Sequence, residues 1–112
     1  MKIEDLSGNE LVETLATLAS PHRMRVVAAL ALERNYVSQL ARQLGISRAL
    51  LQVHLRKLEA AGLVTSTIEV SDDGKAMKFY EVAAFALNLT PASILDAAKT
   101  LVSADAEPEI GK

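Results

Sequence analysis

Leu11, Leu15 and Leu18 recur at helical spacing, and Ser7 with Glu10 ahead of them forms a capping box. Ser20-Pro21 then restarts a helix, serine as its N-cap and proline at the first position, where a missing N–H costs nothing. Met24, Val27, Ala28 and Ala31 are expected to share one face of this second helix, which should end near Arg34-Asn35. Tyr36-Val37 is expected as a short extended piece, followed by a third helix capped by Ser38 that runs through Leu40, Ala41 and Leu44. Gly45 should stop it, because glycine enters the left-handed conformation without strain. Ser47 caps a fourth helix that Gly62 ends, with Leu51, Leu55 and Leu58 within about 60° of one another on a wheel of 3.6 residues per turn.

Beyond Gly62 the period changes to two. Val64, Ser66, Ile68 and Val70 alternate with Thr65, Thr67 and Glu69, Asp72-Asp73-Gly74-Lys75 supplies a turn, and Met77, Phe79 and Tyr80 lie in the returning strand of a β-hairpin. Thr90-Pro91 opens a last helix with Ile94, Leu95, Ala98, Leu101 and Val102 on one side. The pattern predicts one domain over residues 1–103, with helices of about 7–19 and 90–103 at its two ends, and a flexible acidic tail over 104–112. The fold class is mainly α: five helices with a β-hairpin wing.

Composition narrows the chemistry. The chain of 112 residues has no cysteine, which excludes a disulfide framework, a thiolate metal site and a cysteine nucleophile. No run approaches the roughly 18 apolar residues of a membrane helix, and Met1 to Asp5 is no signal peptide, so a cytoplasmic protein is expected. The net charge of −2 argues against a generally basic surface, but the charge is unevenly spread. Residues 23–78 hold Arg23, Arg25, Arg34, Arg42, Arg48, Arg56, Lys57, Lys75 and Lys78 against five acids, a net of +4, while each flanking segment is −3. A basic middle between acidic ends suits a DNA-binding centre with separate assembly elements.

Residues 38–62, SQLARQLGISRALLQVHLRKLEAAG, form a helix-turn-helix: Ala41 allows close helix approach, Gly45 turns the chain and Ile46 plugs the corner. With the hairpin directly after it, this is a winged helix-turn-helix. The stretch LASPHRMRVVAAL (Leu18–Leu30) resembles the second helix of ArsR-type transcriptional regulators. Gln39 to Val64, including HLRKLEAAGLV, looks like their helix-turn-helix and entry to the wing. The resemblance covers about residues 10–90. It implies a homodimer that binds double-stranded DNA, with the fourth helix (47–61) in the major groove and the wing (64–82) on the backbone or minor groove.

With Leu51 and Leu55 inward, the fourth helix turns Ala49, Val53 and Arg56 outward, flanked by Gln52 and Lys57. Gln suits adenine, Arg suits guanine or phosphate, and short apolar groups suit the thymine methyl. Ser47, Arg48 and Arg42 are candidates for backbone contacts, and Lys75 and Lys78 reach from the hairpin. At Leu50 and Val53 the chain departs from its family, whose recognition helices often carry small polar residues or His there. This implies weaker direct readout with more reliance on phosphate and shape, or a partly buried Leu50.

Leu11, Leu15 and Leu18 of the first helix, with Ile94, Leu95, Ala98, Leu101 and Val102 of the last, are the candidate dimer interface; covering their own subunit is the other use for these stripes. His22 and His54 are expected to pack or hydrogen-bond. The metal-sensing patterns of ArsR relatives do not carry over, and neither a metal, a cofactor nor catalysis is expected. An organic effector between subunits, or none, remains open. A winged helix that binds protein through Leu50 and Val53, or a MarR-type regulator, is the alternative.

Overall fold

Local side-chain chemistry sets most helix starts. Ser7 and Glu10 bond reciprocally, the Glu10 N–H to Ser7 Oγ at 3.2 Å and the Ser7 N–H to Glu10 Oε1 at 2.9 Å. Ser20 accepts from the Arg23 N–H, Ser47 from Leu50 and Thr90 from Ser93. The computed structural model describes residues 6–102. Its elements are α1 (Gly8–Leu18), α2 (Pro21–Leu32), β1 (Asn35–Tyr36), α3 (Val37–Leu44), α4 (Arg48–Ala60), β2 (Val64–Val70), β3 (Ala76–Val82) and α5 (Pro91–Ala98). The five helices and the wing are those expected, while the acidic tail at 104–112 lies outside the described residues.

The contacts divide the described residues into two units, residues 16–84 and the two flanking segments, 6–15 with 85–102. In the central unit, α2, α3 and α4 pack on one another and on the sheet. Their core is Val26, Leu30, Leu40, Ala41, Leu51, Leu55, Leu58, Leu63, Val64 and Tyr80. The sheet is antiparallel in the order β1-β3-β2, so the predicted hairpin gains a third strand. Gly45, Gly62 and Gly74 all have positive φ, at the helix ends and hairpin turn where the sequence requires it.

Three expectations are corrected here. Ser38 does not cap α3: the helix starts at Val37, its N-cap is Tyr36, and no side chain caps it. Pairing of Asn35 with Tyr80 and of Tyr36 with Phe79 holds this piece extended and forces the helix to begin immediately after it. On α2 the buried residues are Val26 and Leu30, while Met24, Ala28 and Ala31 are exposed. A helix reading PHRMRVVAALAL is apolar nearly all round, so its periodicity selects no face; packing selects the larger Val and Leu over alanines. Finally, α5 ends at Ala98, and Leu101 and Val102 lie beyond it.

In the flanking unit, Gly8 opens α1 where the chain following α5 comes close. A Cβ there would lie 2.3 Å from the Ala97 carbonyl oxygen and 2.8 Å from Leu101, so only glycine fits. The Gly8 N–H donates to Thr100 Oγ1 at 2.7 Å. The Asn9 amide holds both backbone groups of Val102, accepting from its N–H at 2.8 Å and donating to its carbonyl. Thr90 and Ser93 form a full capping box on α5. No residue of α5 is buried.

Candidate nucleic-acid interface

The orientation of α4 follows from burial of Leu51, Leu55 and Leu58, each wholly removed from solvent. On a helix of about 3.6 residues per turn, this sends Ala49, Val53, Arg56 and Ala60 to the opposite side. Leu50 and Lys57 lie on one flank, beside buried His54; Arg48, Gln52 and Glu59 lie on the other. Ala49, Val53, Arg56, Arg48 and Lys57 are exposed and Gln52 is half-buried. Leu50 is 38% exposed and Val53 41%, so both aliphatics belong to the surface. The Ser47 oxygen accepts the Leu50 N–H at 3.0 Å, which leaves its own O–H able to donate outward.

His54 is the polar member of the inward side. Arg23 Nε donates to its Nδ1 at 3.3 Å and Arg23 Nη1 donates to the Thr17 carbonyl at 3.0 Å. The Nδ1 acceptor requires the proton on Nε2, which is buried with no hydrogen-bond partner among the described residues. The His22 ring lies 5.3 Å away, centroid to centroid. Burial first, then the charges of Arg23, His22 and Lys57, lower the His54 pKa from its ordinary value. His54 packs and hydrogen-bonds, His22 packs beside it, and Arg23 is engaged by His54 and the Thr17 carbonyl.

A second base of the +4 segment is also spent. Arg34 pairs with Glu69 through both carboxylate oxygens, Nη2 to Oε1 at 3.0 Å and Nη1 to Oε2. Its guanidinium carbon lies 4.4 Å from the Phe79 ring centroid. By contrast, Arg42, Arg48, Arg56, Lys57, Lys75 and Lys78 are exposed and, among the described residues, without an ion-pair partner. All six belong to the central unit. These six are the bases expected at the DNA; Arg23 and Arg34, not among those candidates, are engaged by His54 and Glu69.

The wing follows α4 through Gly62, and Ser66 Oγ donates to Glu59 Oε2 at 2.9 Å, tying β2 to the end of the helix. Lys78 Nζ sits 5.4 Å from the centroid of Tyr80 on the same face of β3. Lys75 is in a different setting. Its N–H meets Ser71 Oγ at 3.1 Å and the Asp73 carboxylate at 3.4 Å, and it shares the tip with Asp72. The Ser71 hydroxyl, then the Lys75 N–H, hold the Asp73 carboxyl below its usual range. The tip is therefore net acidic, and Lys78 is the better placed cation of the two.

Of the candidate dimer residues, Leu11 is already buried within the single chain and has no surface to offer a partner, a correction to the expected interface. Its burial follows from its place on the inward side of α1 with Thr14. Leu15 and Leu18 are half-buried, and Ile94, Leu95, Ala98, Leu101 and Val102 are exposed. Val12 is exposed too, a residue the leucine spacing had left out. Among the described residues, no helix is long and apolar enough to cross a membrane, and no three His, Asp or Glu side chains cluster as metal ligands.

Known proteins share this architecture. The helix-turn-helix domain family matches residues 18–67. An uncharacterized HTH-type transcriptional regulator of Methanocaldococcus jannaschii is 32% identical over 76 residues, 68% of this chain and 79% of the relative. An ArsR-like transcriptional regulator from Rhodococcus sp. RHA1 superposes with a TM-score of 0.58 at 27% identity, over 82% of this chain and 76% of that one. A homodimeric winged helix-turn-helix DNA-binding domain from Mycobacterium bovis, described as a possible ArsR-family transcriptional regulator, superposes with a TM-score of 0.60. It is 20% identical, over 81% of this chain and 70% of the other.

Proposed function

The chain belongs to the helix-turn-helix transcriptional regulators, in their ArsR-type winged-helix form, and we propose that it acts in the cytoplasm as a homodimer on double-stranded DNA. The observation that carries this is the outward side of α4: Ala49, Val53 and Arg56 stand opposite a fully buried leucine stripe, with unpaired bases on both flanks. A helix so presented fits a major groove. Gln52, Arg56 and Ala49 with Val53 supply hydrogen bonds and thymine-methyl contacts, while Ser47, Arg48, Arg42 and Lys57 meet phosphates. Lys78 reaches the backbone beside the groove, with Lys75 a lesser contributor next to its two carboxylates.

The dimer rests on Leu15, Leu18, Val12, Ile94, Leu95, Ala98, Leu101 and Val102, and on the homodimeric M. bovis domain of the same fold. Two recognition helices so related would address half-sites about one turn, roughly 34 Å, apart.

Fragments of the source genome retained by the protein, titrated with salt, test the proposal. Wild type should lose affinity steeply between low and moderate salt. Arg56→Ala/Lys57→Ala should weaken binding by about 10-fold or more and flatten the salt slope by about 1 to 2. An unchanged slope and affinity in the double variant would overturn the assignment of these residues. Retention of a protein through Leu50 and Val53, insensitive to salt, would favour the protein-binding alternative.

A further inference from the structure

The strand register sorts the wing into two faces. Val64 opposite Val82, Ser66 opposite Tyr80, Ile68 opposite Lys78 and Val70 opposite Ala76 form the face that the root of the hairpin turns to the core. Thr65 opposite Glu81, Thr67 opposite Phe79 and Glu69 opposite Met77 form the outer face. Hydrophobic anchorage stops near the root: Val64 and Tyr80 are buried, whereas Ile68 and Val70 are exposed. Toward the tip from Phe79 and Tyr80, where β1 pairs, the hairpin is only two-stranded, and such a ribbon is marginal in water with an easily changed twist. Something other than the core must set the direction of this one.

Side chains from outside the hairpin reach both of its faces, beside the backbone pairing of β1 with β3. On the core-side face, Ser66 bonds Glu59 of α4. On the outer face, Tyr36 meets Phe79 edge-on at 5.8 Å and 88°, and Arg34 lies across the Phe79 ring to grip Glu69. Arg34 belongs to the link between α2 and β1, so its backbone is part of the body. Glu69 is the penultimate residue of β2 and lies toward the hairpin tip, well beyond the last buried position. A forked, bidentate pair is directional, and the aromatic face beneath the guanidinium limits its tilt. Both partners are well exposed, at 41% and 49% of their side-chain surface, and exposed pairs add little to global stability. What such a clamp controls is orientation.

Resting on the DNA-binding reading above, we propose that Arg34 is a positioning residue: its grip on Glu69 across Phe79 holds the wing at the angle that brings Lys78 to the DNA backbone. Arg34 itself makes no phosphate contact. Its charge is neutralised by Glu69 on the outer face, and Lys78 projects from the opposite one.

The test uses the full chain and a duplex that wild type retains. Arg34→Gln should lower affinity about 3- to 10-fold, reduce the slope of log affinity against log salt by no more than Lys78→Ala does, and leave the thermal midpoint near wild type. Lys78→Ala should reduce that slope by about 1. In Arg34→Gln the same Lys78→Ala change should cost less than it does in wild type, because the lysine is already misplaced. The exchanged pair, Arg34→Glu with Glu69→Arg, should recover part of the lost affinity. Unchanged affinity in Arg34→Gln would overturn the proposal. So would a further fall of about 1 in salt slope when Arg34→Gln is added to Lys78→Ala, which marks a separate phosphate contact of Arg34, or full additivity of the two changes in affinity. Failure of wild type to retain any duplex would instead remove the DNA-binding reading on which the proposal rests.

Discussion

The helix α5 of the flanking unit is more apolar than α4 of the central unit, yet α4 buries a leucine stripe and α5 buries nothing. In residues 16–84, α4 places Leu51, Leu55 and Leu58 beyond reach of solvent, against partners from α2, α3 and β2 of the same chain. In the flanking segments, α5 carries Ile94 and Leu95 at 51% and 65% exposure and buries no residue. The first stripe closes within one chain; the second remains an open surface of the kind that a two-fold partner covers. The contrast also sorts the charges, since the outward bases lie in the closed unit and the acidic segments flank it. Outward bases and exposed aliphatic residues of α5 are thus carried by different parts of a short chain.

The contrast can be broken most forcefully at Leu55. Leu55→Ala leaves a cavity in a packed core, and urea unfolding should show a loss of about 2–5 kcal/mol. A loss below about 1 kcal/mol would mean that the central unit is no better closed than α5. The matching change on the open surface is Ile94→Lys/Leu95→Lys. Sedimentation at micromolar concentration should show wild type as a dimer and this variant as a monomer that keeps its helical content. If wild type is already monomeric, or if the variant unfolds, the open-surface account fails.

The smallest expected effect concerns His54. Its folded-state pKa lies below its ordinary value, so the unfolded chain takes up this proton more readily than the folded one. The stability associated with neutral His54 is therefore fully present above the unfolded value, about 6.5, and is lost as pH falls from there through the folded pKa. His54→Gln should flatten that part of the stability profile between about pH 7 and pH 5 while leaving the carboxylate-driven loss at lower pH. A profile of unchanged shape would mean that His54 does not contribute that slope.

Much of the fold was legible from neighbours in sequence. The caps at Ser7, Ser20, Ser47 and Thr90 and the stops at Gly45 and Gly62 depend on groups three or four positions apart, and all of them form. The leucine face of α4 was legible because its polar residues mark the opposite side. On α2 there was no such contrast, and the wrong face was expected. Ser38 had the chemistry of a cap, but β1 pairing with β3 started the helix earlier. A local preference yielded to a partner about forty residues away.

The candidate site divides along the same line. Which residues α4 turns outward follows from its buried stripe, so Ala49, Val53 and Arg56 could be named from the sequence. The six exposed candidate bases could be named too, but not what engages Arg23 and Arg34. Arg23 turns to His54, 31 positions on, and Arg34 to Glu69, 35 positions on, and no periodicity reports such pairs. The same holds for Gly8 against the end of α5, where the bond from Gly8 to Thr100 spans 92 positions. Helix starts, stops and faces are decided by contacts within a turn or two, and the sequence alone determined them. The third strand, the spent arginines, the grip on the wing and the stripe left open depend on which distant segments meet, and only the tertiary structure decided those.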